Sequence, residues 1–177
     1  LKFFKSFKDS DKRNNIVAWG AENSQLNNWD LISRYIKDGD SVLDYGCGIG
    51  DFITYIGDSG KKISNYLGVD INPEFIKMAK ESYPDNDFKL IKDINGIDGK
   101  YDIVFASGVF TWFITKSDFI SIINKLYEVA NKEVLMTFNY KRIKQNTETF
   151  WSSKYRYYTK EIFEDLFPDW NIEYYIE

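Results

Sequence analysis

Residues 42–50, Val-Leu-Asp-Tyr-Gly-Cys-Gly-Ile-Gly, constrain this chain more than any other stretch. Val42 and Leu43 read as the end of a buried strand, and Asp44 sets a carboxylate at its C-terminal tip. Gly46, Gly48 and Gly50 follow at alternate positions, so the backbone can turn tightly and lie close to a ligand. A strand, a glycine loop and a helix in that order belong in an open α/β sheet, whose ligand crevice lies beyond the strand tips. The reading is a nucleoside-bearing cofactor laid across the loop. A tight turn without a ligand is the plainer alternative, and one glycine-rich turn does not decide between them.

The rest of the chain supplies such a sheet. Residues 25–36 place Trp29, Ile32 and Ile36 on one stripe beside Leu26 and Tyr35, which predicts a helix with Ser24 as N-cap and Gly39 as its stop. Strands are predicted at 41–45, 65–70, 88–91, 101–106 and 133–138, with a helix at 50–56 after the first. Asn72-Pro73-Glu74 is a helix start, with a capping side chain, a proline in the first position and an acid in the first turn, and that helix runs to Ser82. Thr115-Lys116-Ser117-Asp118 matches a capping box ahead of an apolar face of Phe119, Ile122, Ile123, Leu126 and Ala130. Thr159 is expected to cap a short helix through Phe167 that Pro168 stops, and 170–176 reads as a last strand. The fold class is therefore α/β: a Rossmann-like, doubly wound, mostly parallel sheet with helices on both faces. Residues 1–23 form an N-terminal lead-in with Phe3, Phe4 and Phe7 among lysines, and residues 24–177 form a single domain.

Composition removes several chemistries. The 177 residues are enough for one domain with a real core. With no histidine, the chain has no Ser-His-Asp triad, no Cys-His dyad and no His-ligated metal, and a single cysteine makes no zinc site. That cysteine, Cys47, cannot form an intramolecular disulfide, which fits a reducing, cytoplasmic setting. A net charge of −4 argues against a nucleic-acid-binding face. No apolar run reaches the roughly 18 residues of a bilayer span. Residues 1–7 alternate Lys with Phe and do not read as a secretory signal; starting at Leu1, the chain is not expected to begin at its native start.

The acids around the loop narrow the ligand. Asp51 holds the third position of the dinucleotide fingerprint G-x-G-x-x-G, where a pyrophosphate would meet a carboxylate. With Asp44 before the loop, the pocket favours a cationic or zwitterionic ligand. Asp70, at the tip of the next strand, can accept hydrogen bonds from both ribose hydroxyls, or is a surface acid before a turn. Asp93, past the third strand, can meet an adenine amino group or serve as a solvated loop residue.

These residues resemble the class I S-adenosylmethionine-dependent methyltransferases, over about residues 24–140. The matching stretches are 42–50 as the glycine motif, Leu67-Gly68-Val69-Asp70-Ile71 as the acidic strand end, 88–94 as the adenine-side segment and 101–108 as the fourth strand. The resemblance implies S-adenosyl-L-methionine as cofactor and S-adenosyl-L-homocysteine as product. It implies that Asp44, Tyr45, Gly46, Cys47 and Gly48 hold the methionine part, Cys47 as a small loop residue and not a nucleophile. Asp70 would bind the ribose, Ile71 would pack on the adenine, Asp93 and Ile94 would meet its edge, and Ser107 would face the methionine end through its backbone. The stretch Trp19-Gly20-Ala21-Glu22-Asn23-Ser24-Gln25 is similar to the lead-in of a bacterial and phage-type subgroup, in which Trp19 and Gln25 would lie over the cofactor; plain packing accounts equally for Trp19.

Two departures bear on the substrate. Class I members usually end in a strand hairpin, so the last strand of the usual seven is expected to be missing here. After the fourth strand the chain reads Ser107-Gly108-Val109-Phe110, neither the Asn-Pro-Pro-Tyr-like run of amide or base N-methylation nor the Pro-Cys of cytosine C5 methylation. The expected activity is in-line methyl transfer to a small-molecule acceptor, with no histidine needed because proximity carries much of the catalysis. Trp112, Tyr140, Arg142, Trp151 and Tyr155 are the candidate acceptor wall, Trp112 and Phe113 serving equally well as core, and the Lys141, Arg142 and Lys144 charges as a solvated loop. An oxidoreductase using a nicotinamide dinucleotide, and a cofactor-binding module without catalysis, remain the alternatives.

Overall fold

Period-two alternation decides which face of the sheet each strand residue takes. The structure is a computed structural model that describes residues 22–111, 114–138, 160–170 and 172–173. Strands β1 (Ser41–Tyr45), β2 (Asn65–Asp70), β3 (Asp87–Leu90), β4 (Tyr101–Ser107) and β5 (Ala130–Thr137) pair in parallel in the order β3-β2-β1-β4-β5. Successive connections run outward from β1 to β2 and β3, then return to β4 on the other side of β1. The crevice beyond β1 and β4 is thus the topological switch point, where such sheets bind ligands.

Helices cover both faces. Helix α1 (Glu22–Tyr35), α2 (Phe52–Asp58) and α3 (Pro73–Ser82) pack Ile32, Phe52, Ile56, Ile76 and Ala79 on Val42, Tyr66, Phe88, Ile103 and Phe105. Helix α4 (Lys116–Val129) and α5 (Lys160–Leu166) bring Phe119, Ile123, Leu126, Ile162 and Phe163 against Leu43, Tyr45, Val69, Val104 and Ala106. Each strand therefore sends alternate residues into different cores. Phe105 is fully buried with its ring 4.6 Å from Phe52, and burying such a side chain contributes about 1.5–3 kcal/mol.

The far end of the sheet carries a charged fastening. Lys132 Nζ lies 2.6 Å from buried Asp40 and 3.3 Å from Asp102. Asp102 also accepts the Ser41 N–H at 3.0 Å and its hydroxyl at 3.1 Å, and these hydrogen bonds, the backbone one foremost, hold its carboxyl below the ordinary carboxylate value. Three parallel strands are tied there, at the opposite end from the glycine loop. Among the described residues no helix is long and apolar enough to cross a membrane, and no acid or thiol group of three or more could hold a metal ion.

Several boundaries differ from expectation. Helix α1 begins at Glu22, so Ser24 lies inside it and is not its cap. It ends at Tyr35; Asp40 then accepts the Lys37 N–H, and Gly39, at φ +85°, makes the turn into β1 and does not stop the helix. Strand β5 starts at Ala130, earlier than its apolar stretch suggests, because Tyr101 pairs there before a register shift. Trp170, Ile172 and Glu173, the described part of the expected last strand, belong to no strand. Trp170 instead packs on Tyr127 and Phe167, with ring centroids 4.5 and 4.6 Å away. Thr159 lies outside the described residues.

Thr115 caps α4 as expected: its Oγ1 accepts the Asp118 N–H at 3.1 Å, while its hydroxyl, and not its backbone N–H, donates to Asp118 Oδ2 at 2.6 Å. Thr115→Ala removes that acceptor and is expected to destabilise the fold by about 1 kcal/mol in urea unfolding, with Thr115→Ser close to wild type.

Candidate functional site

The loop after β1 is folded back onto β2. Gly46 and Cys47 both donate their N–H to the Val69 carbonyl, at 2.8 and 3.0 Å. That path needs positive φ, and Gly46, Gly48 and Gly50 take +78°, +56° and +82°. At Gly46 the need is also steric, since a Cβ would come within 2.4 Å of Val109 Cγ2. Val109, in the turn after β4, forms the loop's other wall.

Asp70 organises the loop from β2. One carboxylate oxygen accepts the Gly48 N–H at 3.0 Å, and the other accepts the Asn72 N–H at 2.8 Å. Asn72 in turn caps α3 by accepting the Glu74 N–H at 3.0 Å. Burial pushes the Asp70 carboxyl above its ordinary value, against these backbone hydrogen bonds. Beside it, Ile71 is 65% exposed, an apolar surface next to a half-buried acid.

Asp44 is 4% exposed and faces the same side of the sheet as Tyr66. The Tyr66 hydroxyl donates to Asp44 Oδ2 at 2.8 Å. Burial raises the Asp44 carboxyl to about 7; Tyr66 opposes that rise, and Asp70 adds to it. Tyr45 is pushed up to about 12, mainly by burial and then by Asp70. Burial, with Asp44 and Asp70, also raises the Cys47 thiol well above its ordinary value, which makes it a poor nucleophile.

The structure brings Asp44, Tyr45, Gly46, Cys47, Gly48, Asp70 and Ile71 together at the tips of β1 and β2. Asp93 and Ile94 follow β3, one strand further out. Asp93 is exposed and accepts the Asn95 N–H at 2.8 Å, which starts the short 3-10 turn Ile94–Gly96, and Ile94 packs partly into the core. Ser107 ends β4 on the other side of β1, its hydroxyl 3.3 Å from that of Thr137, which also accepts the Gly108 N–H at 3.0 Å. Gln25 is buried in α1. Trp19, Trp112, Tyr140, Arg142, Trp151 and Tyr155 lie outside the described residues.

Sequence reasoning did not single out Tyr66, Val109, Thr137 or the second role of Asn72. Tyr66 carried a usable signal: it precedes Asp70 by an even number of strand positions, so both face the same side. Val109 and Thr137 carried none, since each acts through a neighbour distant in sequence.

A buried carboxylate, Asp44, and a half-buried one, Asp70, converge here, and no lysine or arginine acts on either among the described residues. Buried charge without a partner is costly. The donor set therefore suits a ligand with a positive end near Asp44, hydroxyls to donate to Asp70 and a flat apolar face for Ile71. An anionic pyrophosphate suits it poorly.

A family described as a methyltransferase domain matches residues 36–176. A protein named as a methyltransferase in Invertebrate iridescent virus 6 is 36% identical over 103 residues, covering 58% of this chain and 38% of its own length. A ribosomal-protein methyltransferase of Clostridium botulinum is 36% identical over 81 residues, covering 43% of this chain and 25% of its own. The chain thus spans well under half of either relative. In structure, the magnesium protoporphyrin IX methyltransferase of Synechocystis, solved with bound S-adenosylhomocysteine, superposes with a TM-score of 0.60 at 17% identity, over 84% of this chain and 70% of that one.

Proposed function

Because the chain belongs to the class I S-adenosylmethionine-dependent methyltransferase family, we propose that it moves a methyl group from S-adenosylmethionine to a small-molecule acceptor. The observation that carries this reading is the pair of acids at the tips of β1 and β2, Asp44 buried and Asp70 half-buried, held against the glycine loop beside exposed Ile71. Those residues fit the cofactor by chemistry: its amino-acid end is charged, its ribose has vicinal hydroxyls and its adenine is flat. Asp44 and the backbone from Gly46 to Gly48 take the methionine part, with Tyr45 behind them. Asp70 accepts from the ribose hydroxyls, and Ile71 packs on one adenine face. Asp93 and Ile94 lie at the adenine edge, Ser107 meets the methionine end through its backbone, and Gln25 lies over the top; Trp19, outside the described residues, is proposed as a further cofactor contact.

When bound, S-adenosylmethionine supplies a methyl group on a sulfonium, ready for in-line displacement. The chain's contribution is alignment. Asp70 and the loop amides fix one reactant, while Trp112, Tyr140, Arg142, Trp151 and Tyr155 are proposed to wall the acceptor. Well-oriented reactants gain roughly 7–11 kcal/mol from proximity, so an amine or thiolate acceptor needs no general base.

The test is methyl transfer from labelled cofactor to a panel of small amines, thiols and phenols, with ribosomal protein and RNA as further arms. Label in a small molecule is the expected result. Label confined to the protein or RNA arm overturns the small-molecule acceptor. Binding of S-adenosylhomocysteine with no transfer in any arm favours a binding module over an enzyme.

A further inference from the structure

The acid at the tip of β1 is held by a residue that the cofactor reading leaves without a role. Tyr66 is 3% exposed, in the β2 pairing one step from Asp44: Val42 lies opposite Tyr66 and Asp44 opposite Gly68. Its ring stands edge-on to Phe88, with centroids 5.7 Å apart, which fixes where the hydroxyl points. From there the hydroxyl donates to Asp44 Oδ2 at 2.8 Å inside the core. A phenylalanine would pack as well against Phe88 and Val42, so the hydroxyl serves the acid and not the packing.

We infer that Tyr66 is a positioning residue for Asp44: its buried hydroxyl keeps the Asp44 carboxylate charged and oriented toward the ligand's positive end, and so sets the pH range over which the site binds its cofactor. The inference rests on the cofactor reading above. The titratable groups acting on Asp44 are Tyr66 and Asp70 from β2; Asp44 in turn raises the Cys47 thiol in the glycine loop, and Tyr83, after α3, acts on Tyr66. From β4, the residue opposite Asp44 is Phe105, which carries no charge.

The sign follows from the acids. Burial and Asp70 favour the neutral form of Asp44, and Tyr66 favours the charged form. A positive ligand binds the charged form, so below the Asp44 midpoint binding must release one proton. Affinity then falls about tenfold for each pH unit below that midpoint and levels off above it, up to the pH at which the ligand's own ammonium loses its proton. Removing the Tyr66 hydroxyl moves the break to higher pH.

The experiment has two arms. Carboxyl carbon NMR follows the titration of Asp44 in ligand-free wild type and Tyr66→Phe. Calorimetry follows S-adenosylhomocysteine affinity from pH 5.5 to 9 in both, and in Asp44→Asn. The expected result is an Asp44 midpoint near 7 in wild type and higher in Tyr66→Phe, with the affinity break moving by the same interval. Asp44→Asn should lose the break. An Asp44 titration or affinity break that Tyr66→Phe leaves in place overturns the inference while the cofactor reading stands. If Tyr66→Phe does not fold, a wild-type affinity flat across this range overturns it equally. Absence of S-adenosylhomocysteine binding at every pH, with the Asp44 titration still moved by Tyr66→Phe, overturns the cofactor reading instead.

Discussion

Replacing Asp70 with alanine weakens S-adenosylhomocysteine binding at least tenfold, about 1.4 kcal/mol, in a protein that still folds. Two losses combine in that result. The ribose hydroxyls lose their acceptor, and the Gly48 and Asn72 N–H groups lose theirs. Asp70→Asn separates the two. Its carbonyl oxygen can still accept one of the backbone N–H groups, but its amide cannot accept from a second partner on that side. Asparagine is therefore expected to lower the melting temperature less than alanine does and to lose affinity nearly as much as alanine. Calorimetry and thermal unfolding of both variants check this, and unchanged affinity in folded Asp70→Ala removes the ribose assignment.

Gly46→Ala is expected to damage both the fold and the site. The backbone there sits at φ +78°, where an L side chain costs about 1–2 kcal/mol. The added Cβ would also come within 2.4 Å of Val109 Cγ2. Pushing Val109 aside adds overpacking of about 1–3 kcal/mol and shifts the loop that Gly46 shares with Cys47 and Gly48. The double variant with Val109→Ala should recover the steric part and leave the backbone part. Urea unfolding of the two single variants and the double variant reads that coupling directly. A single Gly46→Ala variant as stable as wild type would show that the turn is not held as described.

How much of this could be read before the fold was known depended on the range of each interaction. Strand β1 (Ser41–Tyr45), strand β2 (Asn65–Asp70) and helix α3 (Pro73–Ser82) were legible to the residue, because their signals are local: an apolar run ending in an acid, and an Asn-Pro-Glu start. The start of β5 was not, since Ala130 joins the sheet through its pairing with Tyr101 and not through its own apolar pattern. Ser24 was a reasonable cap on local grounds, yet the helix forms from Glu22 onward. Of the strand expected at 170–176, the described Trp170, Ile172 and Glu173 lie in no strand, and packing on Tyr127 and Phe167 accounts for Trp170.

The site divides in the same way. Asp44, the three glycines and Asp70 announce themselves by spacing along neighbouring strand ends. What sequence could not show is that Asp70 spends both its oxygens on backbone N–H groups, or that Asp44 is buried deeply enough to titrate near 7. Both depend on what surrounds the acids in three dimensions. Tyr66 lies between the two cases: its strand parity was visible, but its hydroxyl's partner was not.

The central claim is that the crevice beyond β1, flanked by the tips of β2 and β4, holds S-adenosylmethionine and not a dinucleotide. The most direct measurement is calorimetric titration of the protein with S-adenosylhomocysteine and, separately, with NAD. Saturable binding of S-adenosylhomocysteine at one site per chain, with no heat from NAD, is the result expected from buried Asp44 and half-buried Asp70 beside Asp51. Tight NAD binding with no S-adenosylhomocysteine binding would contradict it.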